Sequence, residues 1–383
     1  MKKTEVSGRL ISFFIGIVAT LGAGFLIYKS GVATSILKVA QVTTDSPAKV
    51  ENTKNWALPK STKQGYPDWD NGKLSIFDTS NKVLKNTNIS VAWGSGEHEK
   101  GETTPEPSPD LLYTAYIDTN TQDLWIMSNE TLEKTKVPES QNVTYITGWS
   151  PDSKVLIYYF APKSVSSAKE GMIVDFDVAE KFDKNAISGF FALDIKTGAQ
   201  TRIYPVDNIV AVLSNSEVIT RIQEDKLVIF DFESFTADYS SIKGKFGFGP
   251  GQFNFSRDGS LWTFIGSNTP TDDMYITKAE FPNKQGTIID AGGWADVQWP
   301  ILSPDGKKVA YQRAEFSDKF KSNIAALWIV DDSKIPEKLG MGRPLAWVDN
   351  DNLIIDQTVD VAGRMASAKA LFSITSKKVI TFK

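Results

Sequence analysis

The sequence predicts an all-β fold, a β-propeller of six four-stranded blades with seven as the alternative, preceded by one transmembrane helix. Three observations predict it. An uncharged apolar run stands alone near the N-terminus. Two kinds of hairpin alternate along the rest of the chain. The turns of one kind recur at intervals of 42 to 47 residues, the length of a four-stranded blade.

The apolar run covers Leu10 to Tyr28, 19 residues without a charge. About 20 residues cross the hydrocarbon core, whereas the hydrophobic part of a secretory signal usually has about 7–15. Lys2, Lys3 and Arg9 precede the run, with Glu5 the one acid among them. That bias favours a cytoplasmic N-terminus and places the rest outside the cytoplasm. The expected organisation is a cytoplasmic tail at 1–9, a membrane segment at 10–28, a flexible linker at 29–71 and a propeller at 72–383. The location expected is the cell membrane, crossed once. The alternative is a cleaved signal peptide ending near Ala33. The linker is assigned because Thr34 to about Asp70 is rich in Thr, Ser, Asn, Lys and Pro and lacks sustained periodicity.

The first hairpin type sets an apolar residue before a tight polar turn. It reads Trp149-Ser150-Pro151-Asp152-Ser153-Lys154, then Phe255-Ser256-Arg257-Asp258-Gly259-Ser260, then Leu302-Ser303-Pro304-Asp305-Gly306-Lys307. Weaker copies open at Leu213 and Trp347, and Trp93 opens an earliest copy whose turn is expanded over Gly94 to Asp110. Pro presets one turn dihedral, Asp bonds a nearby backbone N–H, and Gly accepts a left-handed conformation. The second type begins with a strongly apolar strand, as in Leu124-Trp125-Ile126-Met127, Phe191-Ala192-Leu193-Asp194 and Leu327-Trp328-Ile329-Val330-Asp331. A polar turn and a more polar strand follow, which suits a half-exposed edge. Ser214, Ser256, Ser303 and Val348 are separated by 42, 47 and 45 residues. Six first hairpins face seven second hairpins. The extra one, Leu74 to Asp78 turning into Val83-Leu84, is read as an N-terminal hairpin, or as part of an incomplete first blade using residues near Tyr66 to Trp69.

The Ser-Pro-Asp-Gly/Ser-Lys turn, followed by an aliphatic-Tyr strand and a Leu-Trp-Ile-Val-Asp strand, resembles the repeat of TolB-like β-propellers. The resemblance covers about Gly72 to Lys383. It implies a propeller of the kind found in periplasmic scaffolds that bind envelope proteins and in non-catalytic propellers attached to peptidases. Ser256 to Trp262 lacks one residue of the sialidase-type Asp box, so no glycosidase chemistry is carried over.

The chemistry-bearing residues are sparse. There is no cysteine and one histidine, His98, which leaves no thiol nucleophile, no Ser-His-Asp triad and no multi-histidine metal site. His98-Glu99-Lys100-Gly101-Glu102 lacks the second histidine of a zincin helix, and the neighbouring glycines and prolines argue against a helix. Asp272-Asp273, Asp331-Asp332 and Asp349-Asn350-Asp351 fall at strand ends, where acids bond local backbone. Gly244 to Gly249 reads as a connecting turn. No Lys/Arg-rich run points to nucleic acid. No catalytic residue, cofactor or metal is therefore expected.

Trp149 and Trp347 occupy one repeat position and are expected to pack between blades. Trp294, after Gly292-Gly293, breaks the repeat and is expected to be exposed. Long connections are expected on one face at Ala161 to Ser188, Gly266 to Asp272, Ala314 to Asn323 and Thr358 to Lys369. Val174 to Lys184, within the longest of these, alternates acids with apolar residues and reads as a short helix. Recognition concentrates on elaborated loops of a rigid scaffold. The expected partner-binding residues are Trp294, Phe182, Arg313, Phe316, Phe320 and Arg364. The expected function is a membrane-anchored, non-catalytic module that binds an envelope or surface protein; the alternative is a glycan-binding or glycan-degrading surface propeller.

Overall fold

The structure is a computed structural model. It describes residues 49–50, 56–70, 73–90, 105–118, 121–138, 140, 143–160, 189–203, 206, 208–223, 226–234, 236–238, 245–246, 253–267, 274–281, 286–292, 297–333, 335–362 and 364–382. Two compact units divide the chain at Ala48/Lys49, and the second, Lys49–Lys383, carries all the described residues. The expected membrane segment at 10–28 lies outside them. Among the described residues there is no helix, so none is long and apolar enough to cross a membrane.

The described strands form six antiparallel sheets. The first is Gly65–Asp70, Lys73–Asp78 and Val83–Ser90. The second is Glu106–Pro107, Tyr113–Ile117, Leu124–Ser128 and Lys134–Lys136. The third is Val143–Trp149, Val155–Phe160, Gly189–Asp194 and Gln200–Ile203, with Lys49–Val50 along its outer edge. The fourth is Ile209–Val212, Glu217–Gln223, Lys226–Asp231 and Thr236–Asp238. In the fifth, Lys245–Phe246 and Phe253–Phe255 both pair with Leu261–Ser267, followed by Met274–Glu280 and Thr287–Gly292.

The sixth sheet has seven strands: Val297–Leu302, Val309–Ser317, Ser322–Val330, Glu337–Trp347, Asn352–Val361, Arg364–Ser373 and Val379–Thr381. Its central strand serves two groups of four. Glu337 to Met341 pair with Ser322–Val330, and Gly342 to Trp347 pair with Asn352–Val361. Gly342, at φ +140°, marks the change of partner; a Cβ there would stand 2.5 Å from the Asp356 carbonyl oxygen.

The serine turns explain the repeat. Ser150 Oγ donates to Asp152 at 2.8 Å and accepts the Val155 N–H at 2.9 Å. Ser256 and Ser303 do the same toward Asp258 and Asp305, and toward the N–H groups of Leu261 and Lys308. The earliest copy is corrected. Its turn is Ser108-Pro109-Asp110, with Ser108 Oγ on Asp110 at 2.6 Å and on the Tyr113 N–H at 3.0 Å. Trp93, the expected opening, lies outside the described residues, and Pro107 precedes the turn instead.

The core lies between sheets. Ala115, Ile117, Leu124 and Ile126 of the second sheet meet Trp149, Leu156, Tyr158 and Leu193 of the third. The two tryptophans of the repeat sit as expected. Trp149 is buried and its indole N–H donates to the Glu106 carbonyl at 3.1 Å; Trp347 is buried and donates to the Ile301 carbonyl at 3.2 Å. Trp149 ties its strand to the sheet before it, and Trp347 ties the central strand of the sixth sheet to that sheet's first strand.

Two boundaries differ from expectation. The linker was expected to run through residue 71, but the chain is packed well before that. Trp56 donates to the Ile195 carbonyl, Thr135 to the Ala57 carbonyl, Ser128 to that of Lys60, and Ser61 to that of Leu112. Gly65–Asp70 then pairs in full register with Lys73–Asp78. Thr, Ser, Asn and Lys look like linker residues because their partners lie far along the chain. The expected loops at Ala314 to Asn323 and Thr358 to Lys369 are largely strand. Val309–Ser317 pairs with Ser322–Val330 out to Ser317↔Ser322, and Asn352–Val361 with Arg364–Ser373 out to Val361↔Arg364. Backbone pairing holds these polar segments straight where side-chain hydrophobicity does not.

Candidate functional site

The two long hairpins carry four of the six residues expected to bind a partner. Their strands of nine and ten residues outrun the equivalent five-residue strands of the second sheet. The excess extends each hairpin by roughly 12–17 Å. The ends are tied together: Lys319 Nζ lies 2.5 Å from an Asp360 carboxylate oxygen, and Ser322 Oγ is 4.0 Å from Met365 Sδ. Along them Phe316 is 64% exposed, Val361 57% and Met365 47%, and Met341, on the strand Glu337–Trp347 between the two hairpins, is 41% exposed.

Phe316 is thus exposed, as expected. Phe320 is half-buried in the turn, with Lys319 Nζ 5.4 Å from its ring centroid. Arg364 is exposed at the end of the second hairpin. Arg313 is committed elsewhere: its Nη1 donates to both oxygens of Asp290 at 2.7 and 2.6 Å, bridging the fifth and sixth sheets. Trp294, Phe182 and the expected helix at Val174 to Lys184 lie outside the described residues. The acids at 331 and 349 do serve local turns. Asp331 accepts the Ser333 N–H and Asp349 those of Asp351 and Asn352.

A second cluster joins strands of the first, second and sixth sheets. Arg343 Nε donates to Asp356 at 3.1 Å and its guanidinium stands 5.5 Å from the Trp299 ring centroid. Asp356 also accepts the Ser367 hydroxyl. Lys369, opposite Asp356 in register, reaches Asp68 at 2.5 Å. Tyr66, two residues before Asp68 on the same strand, is 8% exposed. Burial, followed by the neighbouring Glu106 carboxylate, holds the Tyr66 hydroxyl far above the usual phenol range; Arg343 pulls the other way. Burial pushes Glu106 up to about 7.

Sequence reasoning missed this cluster, although one signal was available. Register places Asp68, three residues in from the Gly65↔Asp78 pair, level with Tyr116, Tyr158 and Phe264, which lie three in from their own closing pairs. Thr220, Gln312 and Ile355 complete the set, so Asp68 is the charged residue at a position that is otherwise aromatic, aliphatic or neutral polar among the described strands.

No protein-family model matches the chain, and no curated protein matches it in sequence. Among solved structures, an oligogalacturonate lyase in complex with manganese aligns with a TM-score of 0.52 and 13% identity, over 87% of this chain and 97% of that one. TolB from Acinetobacter baumannii aligns at 0.43 and 15%, over 69% of this chain, which spans 58% of that TolB. The β-propeller domain of the trilobed protease from Pyrococcus furiosus aligns at 0.47 and 15%, over 85% and 94%. These likenesses concern the fold alone. The succession of antiparallel sheets makes this an all-β protein, and its fold is like that of the lyase.

Proposed function

We propose that the chain is a non-catalytic interaction module of the cell envelope. A membrane segment at 10–28 presents the propeller outside the cytoplasm, and an envelope or surface protein docks on the long hairpins. The observation that carries this reading is the exposure of Phe316, Val361 and Met365 on two hairpins locked by Lys319 and Asp360. Exposed apolar residues gathered in one place mark interaction surfaces. Phe316, Phe320 and Arg364 form the described part of the contact set. We read the strand order as seven blades, the first lacking its inner strand and the last two sharing Glu337–Trp347.

The glycan reading draws on the fold likeness to the lyase and on Asp68, Asp356 and Glu106. Paired carboxylates acting on a glycosidic bond must be free to exchange protons and attack. Asp68 and Asp356 are each engaged by a cation, which favours the binding module.

Capture from solubilised membranes with the whole chain tests the reading. The expected result is a protein partner retained by the native chain and lost on shortening both hairpins. Retention after shortening overturns the docking face, and specific binding of oligogalacturonate in place of protein overturns the module. External protease should digest the propeller of spheroplasts while the protein stays in the membrane fraction. A soluble form beginning near residue 34 overturns the anchor.

A further inference from the structure

A cavity of about 350 Å³ lies between the fifth and sixth sheets. Its walls are apolar. Leu261, Ala279 and Ile289 line it from the fifth sheet, and Val309 and Val330 from the sixth. Val309 and Val330 belong to the core between those sheets, and Leu261 and Ile289 pack against that core half-buried. The cavity is of small-molecule size. Five charged side chains also line it, and three of them are answered. Lys278 and Asp332 pair from one sheet to the other at 3.3 Å, and Asp331 accepts the Ser333 N–H. Glu280 and Lys307 are left. Both are exposed, and neither side chain has a hydrogen-bond or ion-pair partner among the described residues. Leu261 brings them together. Glu280 stands opposite Leu261 in register. Gly306, next to Lys307, lies so close that a Cβ on it would be 2.5 Å from Leu261 Cδ1. An unanswered carboxylate and an unanswered ammonium thus flank one apolar side chain of the cavity wall.

We propose that this cavity binds a zwitterion with an apolar side chain, a free amino acid such as leucine or a short apolar peptide. Lys307 donates to its carboxylate, Glu280 accepts from its ammonium, and its side chain replaces water against Leu261, Ile289, Val309 and Val330. The charges select this class. A simple carboxylate would answer Lys307 but face Glu280, Asp331 and Asp332 with nothing to offer them. A simple amine would leave Lys307 unanswered. A zwitterion answers both free groups and adds no net charge. Exposed ion pairs contribute little by themselves, so the apolar side chain supplies most of the affinity and the charges set its orientation. The cavity lies by the Val309↔Val330 end of its hairpin, and the exposed tip lies at the Ser317↔Ser322 end. The site is therefore separate from the docking face and stands or falls without it.

Calorimetric titration of the whole chain with leucine, with Leu-Leu and with glycine tests the proposal. Leucine or Leu-Leu should saturate the site. Glycine carries the same charges without the side chain and should bind at least roughly tenfold more weakly. N-acetyl-leucine lacks the ammonium and leucinamide the carboxylate, and each should bind at least roughly threefold more weakly than leucine. Glu280→Gln should weaken leucine by a similar factor and leave N-acetyl-leucine unchanged. Lys307→Gln should weaken leucine and leave leucinamide unchanged. Tighter binding of leucine assigns the site to a free amino acid; tighter binding of Leu-Leu assigns it to a short peptide. The proposal is overturned if neither saturates, if glycine binds as leucine does, or if both variants bind leucine as the native chain does. Both substituted side chains are exposed, so the variants should fold; should either not, the ligand series on the native chain decides.

Discussion

The side-chain amide of Gln64 donates to the carbonyl of Val348, 284 positions later, at 2.9 Å, and also to that of Asp110 at 3.1 Å. One side chain thus joins the approach to the first sheet, the first turn of the second and the last part of the sixth. Phe77 and Phe382 stack at 3.6 Å across the same junction, and Lys369 reaches Asp68 there. Gln64→Ala leaves two carbonyls without their donor and should cost about 1–3 kcal/mol in denaturant unfolding. Removal of residues 1–48 should leave the sheets folded, whereas removal of 1–64 should lower the midpoint sharply. Equal midpoints for the two truncations would show that residues 56–64 do not hold the junction.

Trp149 and Trp347 fill one position and make one kind of bond to the preceding inner strand. Replacing either with Ala should cost about 3–5 kcal/mol through the cavity it leaves. Replacing either with Phe keeps most of the volume and loses the indole N–H, so about 1 kcal/mol is expected. A Phe variant as damaging as Ala would show that the hydrogen bond, not the packing, dominates.

Glu106 has a folded-state pKa above its unfolded value, so the folded chain holds the extra proton between the two. Its contribution to stability is complete below the ordinary glutamate range and is lost as pH rises through about 7. Glu106→Gln should therefore stabilise the chain at pH 8, by about 1–3 kcal/mol, and change little at pH 4. Urea midpoints at the two pH values measure this. Destabilisation at pH 8 would mean that the carboxylate has a cationic neighbour outside the described residues.

Asp258 behaves in the opposite sense. The Ser256 hydroxyl, then the Ser260 backbone N–H and hydroxyl, hold its carboxyl below the usual aspartate range. Its contribution is present above the unfolded pKa and is lost as pH falls through the folded one. Ser256→Ala should raise the Asp258 pKa, read by carboxyl carbon NMR, and weaken the turn by about 1 kcal/mol. An unmoved titration curve would show that the hydroxyl bond does not form.

Phe316 and Met365 lie on the exposed hairpins. Phe316→Ser with Met365→Ser should change unfolding stability by less than about 1 kcal/mol, because both residues lie in the exposed class. Partner capture should fall at least roughly tenfold, equivalent to about 1.4 kcal/mol. Lost stability with unchanged capture would make these residues part of the fold rather than of the docking face.

Alternation, turn chemistry and period are written in consecutive residues. The sequence by itself therefore determined the all-β class, the serine turns at 150, 256 and 303, and the packing role of Trp149 and Trp347. Local rules could not reach partners that lie far apart along the chain. Residues 56–64 read as linker, because the carbonyls and side chains that order them belong to the second, third and sixth sheets. Leu74–Asp78 reads as a hairpin strand, and pairing with Gly65–Asp70 makes it the centre of a three-stranded sheet. The cluster of Asp68, Arg343, Asp356 and Lys369 was invisible for the same reason. These are ordinary polar residues in sequence. Only tertiary structure decides that Arg343 meets Asp356 and Lys369 meets Asp68, because ion pairing depends on distance in space.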